Sequence, residues 1–147
     1  MPWSWAQKSK HFCGGTGTVA ELSRNGQFNL PSGMAVAGKC VYVADTWNHR
    51  ISVHELDGTF LLCFGSPGSG DGQFACPRDV DVMGDSLFVT DAGNNRVVVH
   101  GLDGTFIRSF GSKGPDDGQF SSPWGIAVAD GLAFVADEGN HRIVVLK

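Results

Sequence analysis

Asp45, Asn48, His49 and Arg50 fall within six residues of one another. A carboxylate beside an imidazole and a guanidinium is material for acid–base catalysis or for holding a metal. The set returns as Asp91, Asn94, Asn95 and Arg96, and again as Asp137, Asn140, His141 and Arg142. Its spacing is fixed, since 91 − 45 = 46 and 137 − 91 = 46. A catalytic site is normally built once, whereas scaffolding recurs in every unit. Asp45, Asp91 and Asp137 are therefore expected to end a strand and accept N–H groups of the tight turn behind it. Arg50, Arg96 and Arg142 are expected to pair with those carboxylates or with a neighbouring unit's turn. Asn95 occupies the slot of His49 and His141, which argues against a metal ligand, because zinc prefers imidazole or thiolate.

Other candidates are found where the copies differ. Asp79 and Asp81 stand where the other copies have Gly33, Ala35, Gly125 and Ala127. Alternation puts both carboxylates on one face of a strand, opposite Val80 and Val82. They are weak candidates for a calcium-type site with oxygen ligands, against the plainer reading of two solvated acids. Following a repeated proline come Ser32, Arg78 and Trp124; following the repeated aspartate come Thr46-Trp47, Ala92-Gly93 and Glu138-Gly139. Trp47, Arg78 and Trp124 are residue types enriched at interface hot spots. With Ser32 and Glu138 they form the expected partner-binding set.

Short strands position these residues. Strand a follows Pro31, Pro77 or Pro123 and alternates, as in Met34-Ala35-Val36. Strand b is Val-Tyr-Val, Leu-Phe-Val or Ala-Phe-Val, ending at the aspartate. Strand c is Ile51–His54, Val97–His100 or Ile143–Leu146. Asp57-Gly58 and Asp103-Gly104 mark a hairpin turn to strand d, Phe60–Phe64 or Phe106–Phe110. The 21 glycines fit such recurrent turns. The units are 26–71, 72–117 and 118–147, the last stopping before its outer strand. Residues 1–25 are an irregular segment and a candidate closing outer strand. Four-stranded antiparallel units repeated side by side predict an all-β, β-propeller fold.

The Gly-Gln-Phe-x-x-Pro opening, the strand ending at Asp, Asn48-His49-Arg50, the Asp-Gly-Thr-Phe hairpin and the Phe-Gly closure together resemble the NHL repeat family. The resemblance covers residues 26–147. It implies a propeller, commonly six-bladed, that serves as a protein-interaction or substrate-recognition module. It also implies two alternatives: a lyase- or lactonase-like enzyme with a metal in the channel, and an RNA-binding module. Three blades cannot close a ring. Two readings stay open: half of a six-bladed ring completed by a second copy, or a fragment of a longer propeller.

The totals narrow the function classes. Net charge is −4, from 11 basic and 15 acidic residues, and three of the basic ones belong to the repeated motif. That disfavours binding driven by nucleic-acid phosphates. No apolar stretch is long enough to span a membrane. Cys13, Cys40, Cys63 and Cys76 lack C-x-x-C pairing, and the N-terminus lacks the apolar core of a secretory signal, so a cytoplasmic setting is expected. The leading expectation is a non-catalytic scaffold without cofactors that presents one loop face to a protein or peptide.

Overall fold

A computed structural model describes residues 27–147. The proposed closing strand in residues 1–25 lies outside the described residues. Blade 1 contains β1 (Pro31–Ala37), β2 (Cys40–Asp45), β3 (Arg50–Glu55) and β4 (Phe60–Phe64). Blade 2 contains β5 (Pro77–Met83), β6 (Ser86–Asp91), β7 (Arg96–Gly101) and β8 (Phe106–Phe110). Blade 3 contains β9 (Pro123–Ala129), β10 (Leu132–Asp137) and β11 (Arg142–Leu146). Each sheet is an antiparallel meander in chain order, and the first strand of each lies beside the first strand of the next. The register is the same from blade to blade: Asp45 opposes Arg50, Asp91 opposes Arg96 and Asp137 opposes Arg142.

The alternation of apolar side chains explains the stacking. A propeller blade buries both of its faces, so successive side chains on the middle strands are apolar in both directions. Tyr42, Ala44, Ile51 and Val53 leave blade 1 on its trailing face, the face turned to the next blade. They pack against Phe74, Val80, Leu87, Val89 and Val98 on the leading face of blade 2. One period on, Phe88, Val97 and Val99 pack against Phe120, Ile126, Ala133 and Val135 of blade 3. Phe74 and Phe120 are fully buried at these two joints. Burial of each contributes on the order of 2–3 kcal/mol. Both precede strand a in the Gly-Gln-Phe motif, which explains why an aromatic ring recurs in a loop.

The turn between the second and third strands is a single 3-10 turn in every blade: Thr46–Asn48, Ala92–Asn94 and Glu138–Asn140. Each ends at a residue with left-handed backbone, His49 (φ 52°), Asn95 (φ 52°) or His141 (φ 55°). The backbone closes this turn by itself, for example through His49 N–H to Thr46 O at 3.2 Å. The aspartate is therefore not needed there, and the expectation that it accepts N–H groups of its own turn is corrected below. The hairpin at Asp57-Gly58 closes through Gly58 N–H to Glu55 O at 2.9 Å, with Gly58 at φ 95°. Among the described residues, no helix is long and apolar enough to cross a membrane.

Candidate functional site

The recurring cluster ties the loop before strand a to the turn after strand b. Asp45 Oδ1 accepts the backbone N–H of Asn29 at 2.7 Å, while Oδ2 accepts Asn48 Nδ2 and Arg50 Nε, each at 2.8 Å. Asp91 and Asp137 repeat the arrangement with Ala75 and Ser121 as the backbone donors. The arginine's Nη2 group donates to a carbonyl of the same loop: Gln27 for Arg50, Gln73 for Arg96 and Gln119 for Arg142. The asparagine does likewise, Asn94 Nδ2 reaching Gly68 O at 2.8 Å. The ion pair was foreseen from the residue types. Its backbone partners were not, because they lie 16 residues upstream and only the closed blade brings them near.

Burial separates the copies in blades 2 and 3. Desolvation pushes Asp91 above the ordinary carboxylate range, against hydrogen bonds from Asn94, Ala75 and Arg96 that pull the other way. Burial also opposes ionisation of Asp137, but there the donors Ser121, Asn140 and Arg142 prevail and hold it below that range. The difference follows position, since blade 2 has a neighbour on both faces. The Arg142 side chain is 31% exposed, against 11% for Arg96.

The residue after the motif asparagine has a role that sequence reasoning missed. His49 Nδ1 accepts the N–H of Cys76 in the next blade at 3.1 Å, and Asn95 Oδ1 accepts that of Ser122 at 2.9 Å. Cys76 (φ 55°) and Ser122 (φ 51°) both take left-handed backbone to present that N–H. The available signal was the exchange of His for Asn. Both carry an acceptor at the δ position, and Asn, like His, is enriched in the left-handed region.

Asp79 and Asp81 sit at the seam between inner strands. Asp79 Oδ1 accepts Val80 N–H at 2.9 Å and Oδ2 accepts Ile126 N–H of blade 3 at 3.0 Å. Asp81 does the same with Val82 and Val128, each at 2.8 Å. All four oxygens face backbone donors, so the pair caps edge N–H groups of two adjacent blades. On the other side Gly33 leaves room for it. A Cβ there would meet Asp79 Oδ1 and lie 2.6 Å from Asp79 Cα. Among the described residues, no group of three or more His, Cys, Asp or Glu is gathered so as to hold a metal.

Of the loop-face candidates, the side chains of Arg78 and Trp124 come together. Pro31, Pro77 and Pro123 pair with Asp45, Asp91 and Asp137, so the residue after each proline stands beside a 3-10 turn. Arg78 lies over the Trp124 ring, its guanidinium carbon 4.1 Å from the centroid. Arg78 makes no ion pair among the described residues, and its Nε is shielded without a hydrogen-bond partner. Ser32 is engaged elsewhere: its hydroxyl donates to the Arg78 carbonyl and lies 2.7 Å from Thr46 Oγ1. Trp47 and Trp124 are exposed, as is Glu138. Trp47 keeps the backbone bond of its equivalents, donating to Asn29 O at 3.1 Å. At Gly93 a side chain would collide with the Ala75 carbonyl, 2.6 Å from an added Cβ. A large side chain at this slot is thus particular to blade 1.

Stacked antiparallel meanders with their first strands side by side define a β-propeller, and the Asp/Asn/Arg cluster ties each blade in the same way. The chain belongs to the 6-bladed β-propeller family, whose sequence profile matches residues 26–111, and an NHL repeat profile matches residues 120–146. No curated protein matches the chain. Among solved structures it is similar to a Bacteroides fragilis protein at 19% identity, covering 80% of this chain and 34% of that one with a TM-score of 0.62. It is also similar to the virginiamycin B lyase of Staphylococcus aureus at 21% identity, covering 80% and 38%, with a TM-score of 0.59. A third is the glutaminyl cyclase of Myxococcus xanthus at 16% identity, covering 72% and 43%, with a TM-score of 0.52. The chain therefore spans less than half the length of each of these structures. At such identities the likeness is one of fold.

Proposed function

We propose that this chain is a non-catalytic scaffold whose loop face, carrying Trp47, Arg78, Trp124 and Glu138, binds a protein or peptide partner. One observation carries the reading: Arg78 is stacked on Trp124 and makes no ion pair among the described residues, whereas the motif arginines each make one. A guanidinium fixed on an aromatic face is held in place for an incoming acceptor, and a partner's carboxylate fits its fork. A single stacked cation supports a carboxylate-bearing peptide over a nucleic-acid backbone, which needs several. The channel-metal reading has weaker support, since Asp79 and Asp81 already face four backbone donors. The free thiols of Cys40 and Cys76 support a reducing, cytoplasmic setting.

The test is titration of the chain with a library of short peptides rich in Asp and Glu, followed by Trp fluorescence. Arg78→Ala and Trp124→Ala should each weaken binding about tenfold or more, which corresponds to about 1.4 kcal/mol. Both variants should unfold at the temperature of the parent, because neither side chain lies in the core. Equal affinity of Arg78→Ala and the parent, or loss of folding in either variant, would sink the reading.

A further inference from the structure

Each blade meets the next through one joint, and the chain uses that joint twice. A third set of the same joint's surfaces is present but open. Ile143 is 65% exposed, while its equivalents Ile51 and Val97 are fully buried. Val145 is 48% exposed, against 2% for Val53 and Val99. These residues belong to the trailing face of blade 3. On the leading face of blade 1, Met34 is 63% exposed, while its equivalents Val80 and Ile126 are buried at 2% and 8%. Val36 beside it is 60% exposed.

The polar half of the joint is open in the same way. His141 holds the left-handed backbone of His49 and Asn95, and among the described residues no donor stands beside its ring. Leu30 holds the left-handed backbone (φ 50°) of Cys76 and Ser122. Its N–H has no acceptor among the described residues. One end of the array thus carries an acceptor and an apolar trailing face. The other carries the matching donor and an apolar leading face.

We infer that a second copy of this chain occupies both faces. Blade 3 of each copy docks on blade 1 of the other, with His141 accepting the Leu30 N–H and Ile143 and Val145 covering Met34 and Val36. The family's ring has six blades, and two copies of three supply them. Three of six equal steps make half a turn, so the second joint closes as the first forms, as a two-fold ring requires. Once one joint is made the other is intramolecular, which raises the affinity of the pair well above that of either joint. Pairing two trailing faces instead would set two His141 acceptors together with no N–H between them. The blade 3 residues equivalent to Asp79 and Asp81 are Gly125 and Ala127, so the joint between copies has no counterpart of that carboxylate pair.

These faces are separate from Arg78 and Trp124, so this inference and the peptide-binding reading fail independently. Sedimentation equilibrium of the 147-residue chain tests it. The expected mass is twice the 15.6 kDa of one chain. Met34→Glu and Ile143→Glu should each give a single chain with an unchanged β-sheet circular dichroism spectrum, since both side chains are exposed. Ile107→Glu, on the outer strand β8, should leave the mass of two copies. A parent that sediments as one chain, masses above two copies, or dissociation by only one of the two face variants would overturn the inference.

Discussion

His100 is fully enclosed by the rings of Phe64, Phe74 and Phe106, and its Nδ1 lies 3.0 Å from Gly104 O. The carbonyl can only accept, so Nδ1 carries the proton and Nε2, which has no hydrogen-bond partner, is bare. Desolvation pushes this imidazole below the usual histidine value, against the Gly104 hydrogen bond, and nearby Arg96 adds to the fall. His54 is lowered for the same leading reason. With the folded-state values depressed, the unfolded chain binds more protons below the ordinary histidine value of 6.5. Stability is therefore complete above that pH and declines as the pH falls from it toward the folded-state values. Leu146 fills the equivalent slot of blade 3. His100→Leu should accordingly flatten the decline below about pH 6.5, by up to about 1.4 kcal/mol per pH unit. Urea denaturation across that range measures it, and an unchanged slope would contradict the assignment. The sequence placed His100 on strand c; its enclosure by rings from blades 1 and 2 required the stacked fold.

At the scale of elements, the strands were legible because alternation, the repeated proline and the Asp-Gly turns all agreed. The period gave all three blades at once. What an unpaired strand edge does with its N–H groups was not legible, because the answer lies on another blade. Asp79 and Asp81 were set on one face of strand a by alternation, and that face proved to be the seam with blade 3. Each carboxylate accepts two backbone N–H groups, so Asp79→Ala should cost on the order of 1–3 kcal/mol. Asp79→Asn should cost a similar amount, since the amide turns an NH2 group toward one of the two donors. Thermal unfolding in EDTA and in calcium checks both effects. The seam reading expects the same midpoint in the two buffers, whereas a clear rise with calcium would restore the metal-site reading. The motif aspartates illustrate the same limit. Their ion pairs could be inferred from residue types, but their N–H donors belong to a loop that only the folded blade brings close.

At the scale of the whole molecule, recurrence separates frame from function. The residues that repeat hold a blade together, and the His49/Asn95 position carries that frame across each joint. Among residues that do not repeat, Arg78 stacks on Trp124, and Trp47 is exposed in the turn of blade 1. The blade count could be read from the sequence, and so could the need for more blades. The chemistry of the missing joint could not, because it depends on the left-handed backbone at Leu30 and on the acceptor at His141. The central claim is that one joint, used twice within the chain, is used again between copies. Amide hydrogen exchange tests it most directly, comparing Leu30 with its equivalents Cys76 and Ser122. Closure predicts that the Leu30 amide is protected as they are in concentrated solution, and that it alone becomes fast on dilution. A Leu30 amide that exchanges rapidly at every concentration, beside protected Cys76 and Ser122 amides, would contradict the account.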